Sequence, residues 1–476
     1  MSDDTTNGVS GAYRIERDSL GDVQVPVDAW YGAQTSRAIR NFPITGLKPH
    51  PTMVRATVLV KRAAAEVNRD LGQLKPELAD AIIAAAERVL NGEFLDQWRV
   101  DPIQAGAGTS HNMNTNEVLA NIANESADGK RGEYKPVHPN DHVNMAQSTN
   151  DVIPTAMRIA SLIQLQLLYP SLDRLQRAFA AKGKEFDHIV KSGRTHLQDA
   201  VPIRLGQEFT AYGRTLEKMG WKIRHAAEAL LELNIGATAA GTGLNSDPRY
   251  QQAVVARLSE LTGLPLKPAE HLVEMTQSQY AMAEAHGALK LLALELTRIA
   301  NDLRLMSSGP QTGLSEINLP GVQPGSSIMP GKVNPVMLEM LNMACFQVIG
   351  NDTTITMAVQ AGQLELNVMM PVMVFDMLMS IDILRNAMEV VAEFCVEGIT
   401  ANEERCAWYV ENSNGLATAL NAYIGYSAAA KVAQENSRTG KPIREIVLEH
   451  GFLTAEELDR ILDPVAMTEP GVPGKK

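Results

Sequence analysis

A chain of 476 residues, 45 % apolar and 21 % charged, is long enough to bury a large core and has the composition of a soluble globular protein. Its net charge of −12, with no compensating basic stripe, argues against nucleic acid as a partner and leaves room for a small anion held by local cations. Cys345, Cys395 and Cys406 form neither a disulfide framework nor a metal-ligand spacing, which fits a reducing cytoplasm. Cys345 is expected in a helical core and Cys406 partly at the surface.

Aromatics are only 5 % while Met reaches 21 residues and Ala is abundant, a mixture that favours closely packed helices. The polar, acidic start Met1-Ser2-Asp3-Asp4 carries no secretory signal, and residues 1 to about 12 are expected to fray. Tyr13 to Asn41 reads as irregular, with Arg14, Glu16, Arg17 and Asp18 exposed. Helices are predicted over Thr52–Leu71 and Pro76–Leu90, each closed by a glycine (Gly72, Gly92) and the second opened by Pro76.

Four polar loops then interrupt the helical pattern. In Gln104-Ala105-Gly106-Ala107-Gly108-Thr109-Ser110 no strand precedes and the third glycine is missing, so a dinucleotide fingerprint fails. The loop places Thr109 at a helix start, where free N–H groups favour an anion, or where Thr109 or Ser110 simply caps the helix. His138 and His142 are four apart, but Pro139 lies between them and no third ligand follows, which argues against a metal. Gln147-Ser148-Thr149-Asn150-Asp151 is richer in hydrogen-bonding groups than one helix cap requires, and points to ligand binding.

A helix is predicted from Thr155 to Lys191. The third loop, Ser192 to Pro202, follows and carries Arg194, Thr195, His196, Gln198 and Asp199. Long helices are predicted over Arg204–Asn234, Pro248–Thr262 and Ser278–Met306, with a close-packed turn at Gly236–Gly243. The fourth loop is Gly325-Ser326-Ser327-Ile328-Met329-Pro330-Gly331-Lys332-Val333-Asn334-Pro335. Its prolines and glycines exclude helix and central strand, and its hydroxyls, cation and amide suit a lid that closes on a small anion.

Helices resume over Val336–Val359 and Gln363–Val396. The most apolar run, Leu366 to Leu384, is broken by Pro371, Asp376 and Asp382 and so reads as a buried helix, not a membrane span. Shorter helices follow at Glu403–Glu411, Leu416–Glu435, Pro442–Glu449 and Thr454–Leu462. Strands are hard to find. The pattern describes an all-α chain in three domains: 1–147, a central long-helix bundle over 148–402, and a small helical domain over 403–476. Helices this long carry apolar surface that a homo-oligomer would bury.

The eleven-residue loop at 325–335 resembles the signature of the fumarase/aspartase superfamily, and the likeness runs from about Tyr13 to Pro470-Gly471. Gly106-Ala107-Gly108-Thr109-Ser110, Ser148-Thr149-Asn150, Gln198–Pro202, Asn301–Met306 and Ala361–Met369 are more similar to the ammonia-lyase (aspartase) branch than to class II fumarases. One departure is Gln311, where the family usually has Arg. The resemblance implies reversible elimination of ammonia from L-aspartate to give fumarate with no cofactor; no ligand set for a metal is visible in the sequence. Hydration of fumarate is the alternative, and a non-catalytic helical scaffold a remote one.

It further implies Ser326 as the base and Thr109, Ser148, Thr149 and Ser327 as donors to the charged intermediate. Lys332 and Asn334 would hold the other carboxylate, Thr195 and Asn150 would orient the amino end, and Met329 would line the lid. His196 would contact the substrate, oriented by Glu339. The family's assembly is a homotetramer with a core of helices and sites shared by three subunits.

Overall fold

The computed structural model describes residues 12–475; the chain start expected to fray lies outside them, apart from Ala12. The first described element is a hairpin rather than irregular chain: β1 (Tyr13–Asp18) pairs antiparallel with β2 (Gly21–Pro26). Alternation along β1 turns Glu16 inward, so it is buried and not exposed. Its carboxylate accepts hydrogen bonds from the Tyr134 hydroxyl (2.9 Å) and the Ala33 N–H (3.1 Å) and pairs with Arg14. Arg14 and Asp18 are themselves half-buried.

Helices then dominate, as the composition predicts. They are α1 (Ala33–Asn41), α2 (Pro51–Asp70), α3 (Pro76–Leu90), α4 (Thr109–Glu125) and α5 (Thr149–Glu185). Prolines open α2 and α3, where a missing N–H costs nothing. α5 has 37 residues, roughly 55 Å at the usual helical rise. It is long and apolar enough to cross a bilayer, but 83 % of its most apolar window is buried, as in a core helix.

α5 ends at Glu185, short of the predicted Lys191, because the chain turns into β3 (Val190–Thr195), antiparallel to β4 (Gln198–Arg204). α6 (Leu205–Ala227) also stops early; beyond it β5 (Glu232–Leu233) pairs with β6 (Lys267–Pro268), flanking α7 (Tyr250–Thr262). Next come α8 (Leu272–Gln277), α9 (Tyr280–Met306), β7 (Ile317–Asn318), α10 (Val336–Gln360) and α11 (Met370–Phe394). The start of α11 corrects the prediction of helix from Gln363. Leu366 turns back to donate to Gln363, and Asn367 Oδ1 accepts the Met369 N–H.

β8 (Thr400–Ala401) pairs with β7, and five short helices follow: α12 (Glu403–Asn412), α13 (Ala417–Ile424), α14 (Tyr426–Thr439), α15 (Ile443–Glu449) and α16 (Ala455–Ile461). The single helix predicted over Leu416–Glu435 is split at Gly425, whose φ of +80° leaves the helical region. Cys406, expected partly at the surface, is buried, as are Cys345 and Cys395.

The chain divides into two compact units, each drawn from separated stretches. Among the described residues, unit 1 holds 12–168, Lys222–Leu291 and Gln347–Ile383, and unit 2 holds Tyr169–Trp221, Leu292–Phe346 and 384–475. In unit 1 an apolar core forms between α2, α3 and α4 around Val58, Ile82, Trp98, Leu119 and Ile122. α4 is unusual in burying polar residues on every side. Those side chains pin the surrounding loops: Asn114 donates to Gln97 O, Asn121 to Trp30 O and Asn124 to Val137 O. Glu117 accepts the Gly32, Gln34 and Thr35 N–H groups and so caps α1 from a distance. α4 is therefore a polar spine whose amides fix the loops of unit 1. In unit 2 the short C-terminal helices have their own core around Leu420, Ile443, Ile446 and Leu458.

Candidate active site

The residues predicted for the site fall into two groups, one in each unit. In unit 1, Gly106 and Gly108 adopt positive φ (+81° and +95°) and turn the chain into α4. A Cβ on Gly108 would lie 2.8 Å from the Ile153 side chain, so glycine is required there. Thr109 thus arrives, exposed, at the start of α4, its Oγ1 2.7 Å from Gly106 O and 3.1 Å from Thr149 Oγ1. Asn112, one turn on, donates to the same Thr149 hydroxyl (3.3 Å).

Ser148 immediately precedes α5: its Oγ accepts the Asn150 N–H (3.2 Å), while Asp151 accepts the Ser148 N–H (2.9 Å). Asp151 also accepts the Gly236 and Thr238 N–H groups, each at 3.0 Å. This gives the predicted turn at Gly236–Gly243 a second purpose, since Asn150 donates to Ala239 O there (2.7 Å). The Thr109, Ser148 and Thr149 hydroxyls are brought together at two helix N-termini, where backbone N–H groups favour an anion. One N–H of the Asn150 amide holds the neighbouring turn, and its Oδ1 is left to accept a hydrogen bond.

Beneath this tip lies a group that the sequence reading did not select. Lys61, on α2, is fully buried and donates to Asn144 Oδ1 (2.8 Å) and Gln147 Oε1 (3.0 Å), which flank the approach to Ser148. Burial lowers its ammonium pKa to about 7 against the opposing pull of Asp151, which burial raises to about 6. Nothing in Val58-Leu59-Val60-Lys61 marks this lysine as different from a surface residue of an amphipathic helix. Arg37, with Gln34, Asn41 and Ser110, lines a cavity of about 210 Å³, but its guanidinium is held by the Asp18 carboxylate at 2.7 and 2.9 Å.

In unit 2 the 325–335 loop has a pinched neck and an exposed bulb. Gly325 N–H donates to Lys332 O (2.8 Å) and Asn334 Nδ2 to Gly325 O (2.7 Å). A Cβ on Gly325 would lie 2.4 Å from Lys332 O, so only glycine permits the neck. Inside the bulb the Ser326 hydroxyl oxygen accepts two backbone N–H groups, from Ile328 (3.2 Å) and Met329 (3.0 Å). Ser327, Met329 and Lys332 are exposed, and Ile328 is 84 % exposed, an apolar side chain with no cover of its own.

The residues predicted as a loop over Ser192–Pro202 instead form most of the β3–β4 hairpin. Thr195 pairs with Gln198, and the two residues between them, His196 and Leu197, have φ of +56° and +57°. Two consecutive positive φ values are the mark of the tight turn whose twist matches paired strands. Thr195 and His196 are both exposed there. Among the described residues of unit 2 no hydrogen bond joins His196 to Glu339, which lies 3.9 Å from Arg304. Gln311 is exposed.

This fold, with its serine loop and its clustered hydroxyls at helix starts, defines the class: the chain belongs to the fumarase/aspartase superfamily of lyases. The family model described as "Lyase" matches residues 21–350, and that described as "Fumarase C C-terminus" matches 416–469. Within the family it is 53 % identical over 464 residues to the aspartate ammonia-lyase of Bacillus subtilis, covering 98 % of each chain. It is 51 % identical over 471 residues to that of Escherichia coli K12, again covering 98 % of each. Among solved structures, a fumarate lyase:delta crystallin from Brucella melitensis bound to cobalt superposes with a TM-score of 0.94 at 47 % identity, covering 96 % of this chain and 100 % of that one. A class II fumarase from Schistosoma mansoni also gives 0.94, at 38 % identity and the same coverage.

Proposed function

We propose that this protein is an aspartate ammonia-lyase, catalysing the reversible deamination of L-aspartate to fumarate and ammonia. Identity of 51–53 % to aspartate ammonia-lyases over nearly the whole chain, against 38 % to a class II fumarase, favours ammonia over water as the leaving group. The observation that carries the chemistry is the pair of N–H groups on Ser326 Oγ.

The hard step is removal of a proton from the carbon beside the side-chain carboxylate, because the new charge must enter a group that is already anionic. Serine is a weak base unless its oxyanion is favoured, and two aimed N–H dipoles supply that preference. Ser326 takes the proton; the Thr109, Ser148, Thr149 and Ser327 hydroxyls receive the enediolate oxygens. Lys332 and Asn334 hold the other carboxylate, and Thr195 and Asn150 orient the amino group. His196 contacts the substrate with Glu339 behind it, and Met329 closes over it. Ammonia leaves as the enediolate collapses to fumarate.

The loops that carry these groups are far apart in sequence, and the site draws on three subunits of a homotetramer. Exposed apolar residues along α10, among them Met343 (64 %), Phe346 (57 %) and Met357 (57 %), support such an assembly. The three sequence domains, 1–147, 148–402 and 403–476, and a cytoplasmic setting belong to the same reading. Incubation with fumarate alone and with fumarate plus ammonium, products identified by mass, tests it. Aspartate formed only with ammonium is expected; malate formed without ammonium overturns the reading.

A further inference from the structure

We infer that Glu316 is a positioning residue: its buried carboxylate clamps the hairpin carrying Thr195 and His196 to the root of the Ser326 loop. The inference rests on the assignment of those residues to the site above. Glu316 has no solvent exposure, and its oxygens face Arg194 Nη1 at 2.7 Å and Lys191 Nζ at 2.9 Å, both on β3. Lys191 also meets Glu208 at 3.1 Å, so two cations are balanced by two carboxylates.

The backbone of Glu316 is fixed just as firmly. Its N–H donates to Met306 O at the end of α9 (2.9 Å), and its carbonyl accepts the Asn402 N–H (2.8 Å). The next two residues form β7 against β8, after which exposed residues 321–324 lead to Gly325. Glu316 is thus the last buried charge before the Ser326 loop. Arg194 immediately precedes Thr195, and its guanidinium lies 4.9 Å from the Tyr409 ring, whose centroid is 4.7 Å from Arg405. Arg405 in turn donates to Leu314 O (3.3 Å), closing the circuit back to the same segment.

A buried charge cluster adds little stability over well-packed apolar groups; its best-attested use is to select one arrangement. Here the arrangement selected is the relative placement of two segments that both carry site residues. Glu316 touches no predicted substrate contact itself, so it acts through Arg194.

The test is a double-mutant cycle of Glu316→Gln with Thr195→Val, read as kcat/KM for L-aspartate per folded subunit. It is combined with amide hydrogen exchange of the 195–198 turn. Glu316→Gln is expected to lower kcat/KM by on the order of 10- to 100-fold, as small misplacements do. It should make the Thr195 substitution cost less than in the parent and speed exchange in the turn while leaving α4 unchanged. Additive effects with unaltered exchange overturn the clamp. Should Glu316→Gln fail to fold, Arg194→Lys keeps the charge but loses the fork, and the same coupling to Thr195 is required. A parent protein that does not turn over aspartate contradicts the assignment of the reaction; the exchange measurement then judges the clamp alone.

Discussion

Ser326, Thr149 and Lys61 differ in how much of their setting can be read from the sequence. Ser326 stands in a segment whose glycines and prolines betray a loop, and the role proposed for it comes from the resemblance of that segment to one family. Thr149 was legible as part of a surplus of hydroxyls at a helix start. The burial of Lys61 was not legible, since it depends on Asn144 and Gln147 being folded over it. Its pKa, lowered from 10.5 to about 7 by burial, has a thermodynamic consequence. Between those values the unfolded chain binds a proton that the folded chain does not, so the contribution of Lys61 to stability rises with pH across the window and is lost as pH falls through about 7. Thermal melts of the parent and Lys61→Met between pH 7 and 10 should therefore show the parent gaining stability relative to the variant as pH rises. A constant difference would mean that the lysine is charged throughout.

Among the elements, helices were read well and hairpins poorly, for a physical reason. A helix announces itself through local periodicity, whereas β3 and β4 are stabilised by pairing across the turn and contain Gly193 and Pro202, which read as breakers. The turn between them lacks the Asn-Gly pair usual at two positive φ values and uses His196 and Leu197 instead. L-residues there cost about 1–2 kcal/mol each, strain that persists where the surroundings impose it and that accompanies functional sites. Leu197 is 70 % exposed and should be replaceable by glycine with a gain of about 1 kcal/mol. Leu197→Val should lose stability, since β-branched residues tolerate the conformation least. Denaturant melts of the two variants decide this; equal stabilities would show that the turn is unstrained.

For the molecule as a whole, the all-helical class and the family were legible, while the partition into two units was not. Each unit is assembled from three separated stretches, and a linear reading can only cut a chain into consecutive pieces. The shared-site proposal makes a prediction at this scale. Ser326→Ala and Thr149→Val, each impaired alone, are unfolded, mixed in equal amounts and refolded together. If the two residues reach one site from different subunits, roughly a quarter of sites regain both native groups and activity returns to about that fraction of the parent. No recovery would place both groups in one subunit.

Ser326, as the group that takes the carbon-bound proton, is the centre of the proposed chemistry. The most direct measurement is kcat for L-aspartate of Ser326→Ala, followed as fumarate formed, with circular dichroism to confirm the fold. A fall of at least about 10²–10³ is predicted, the cost of removing one key transition-state group. A folded variant that turns over within a few-fold of the parent would contradict it.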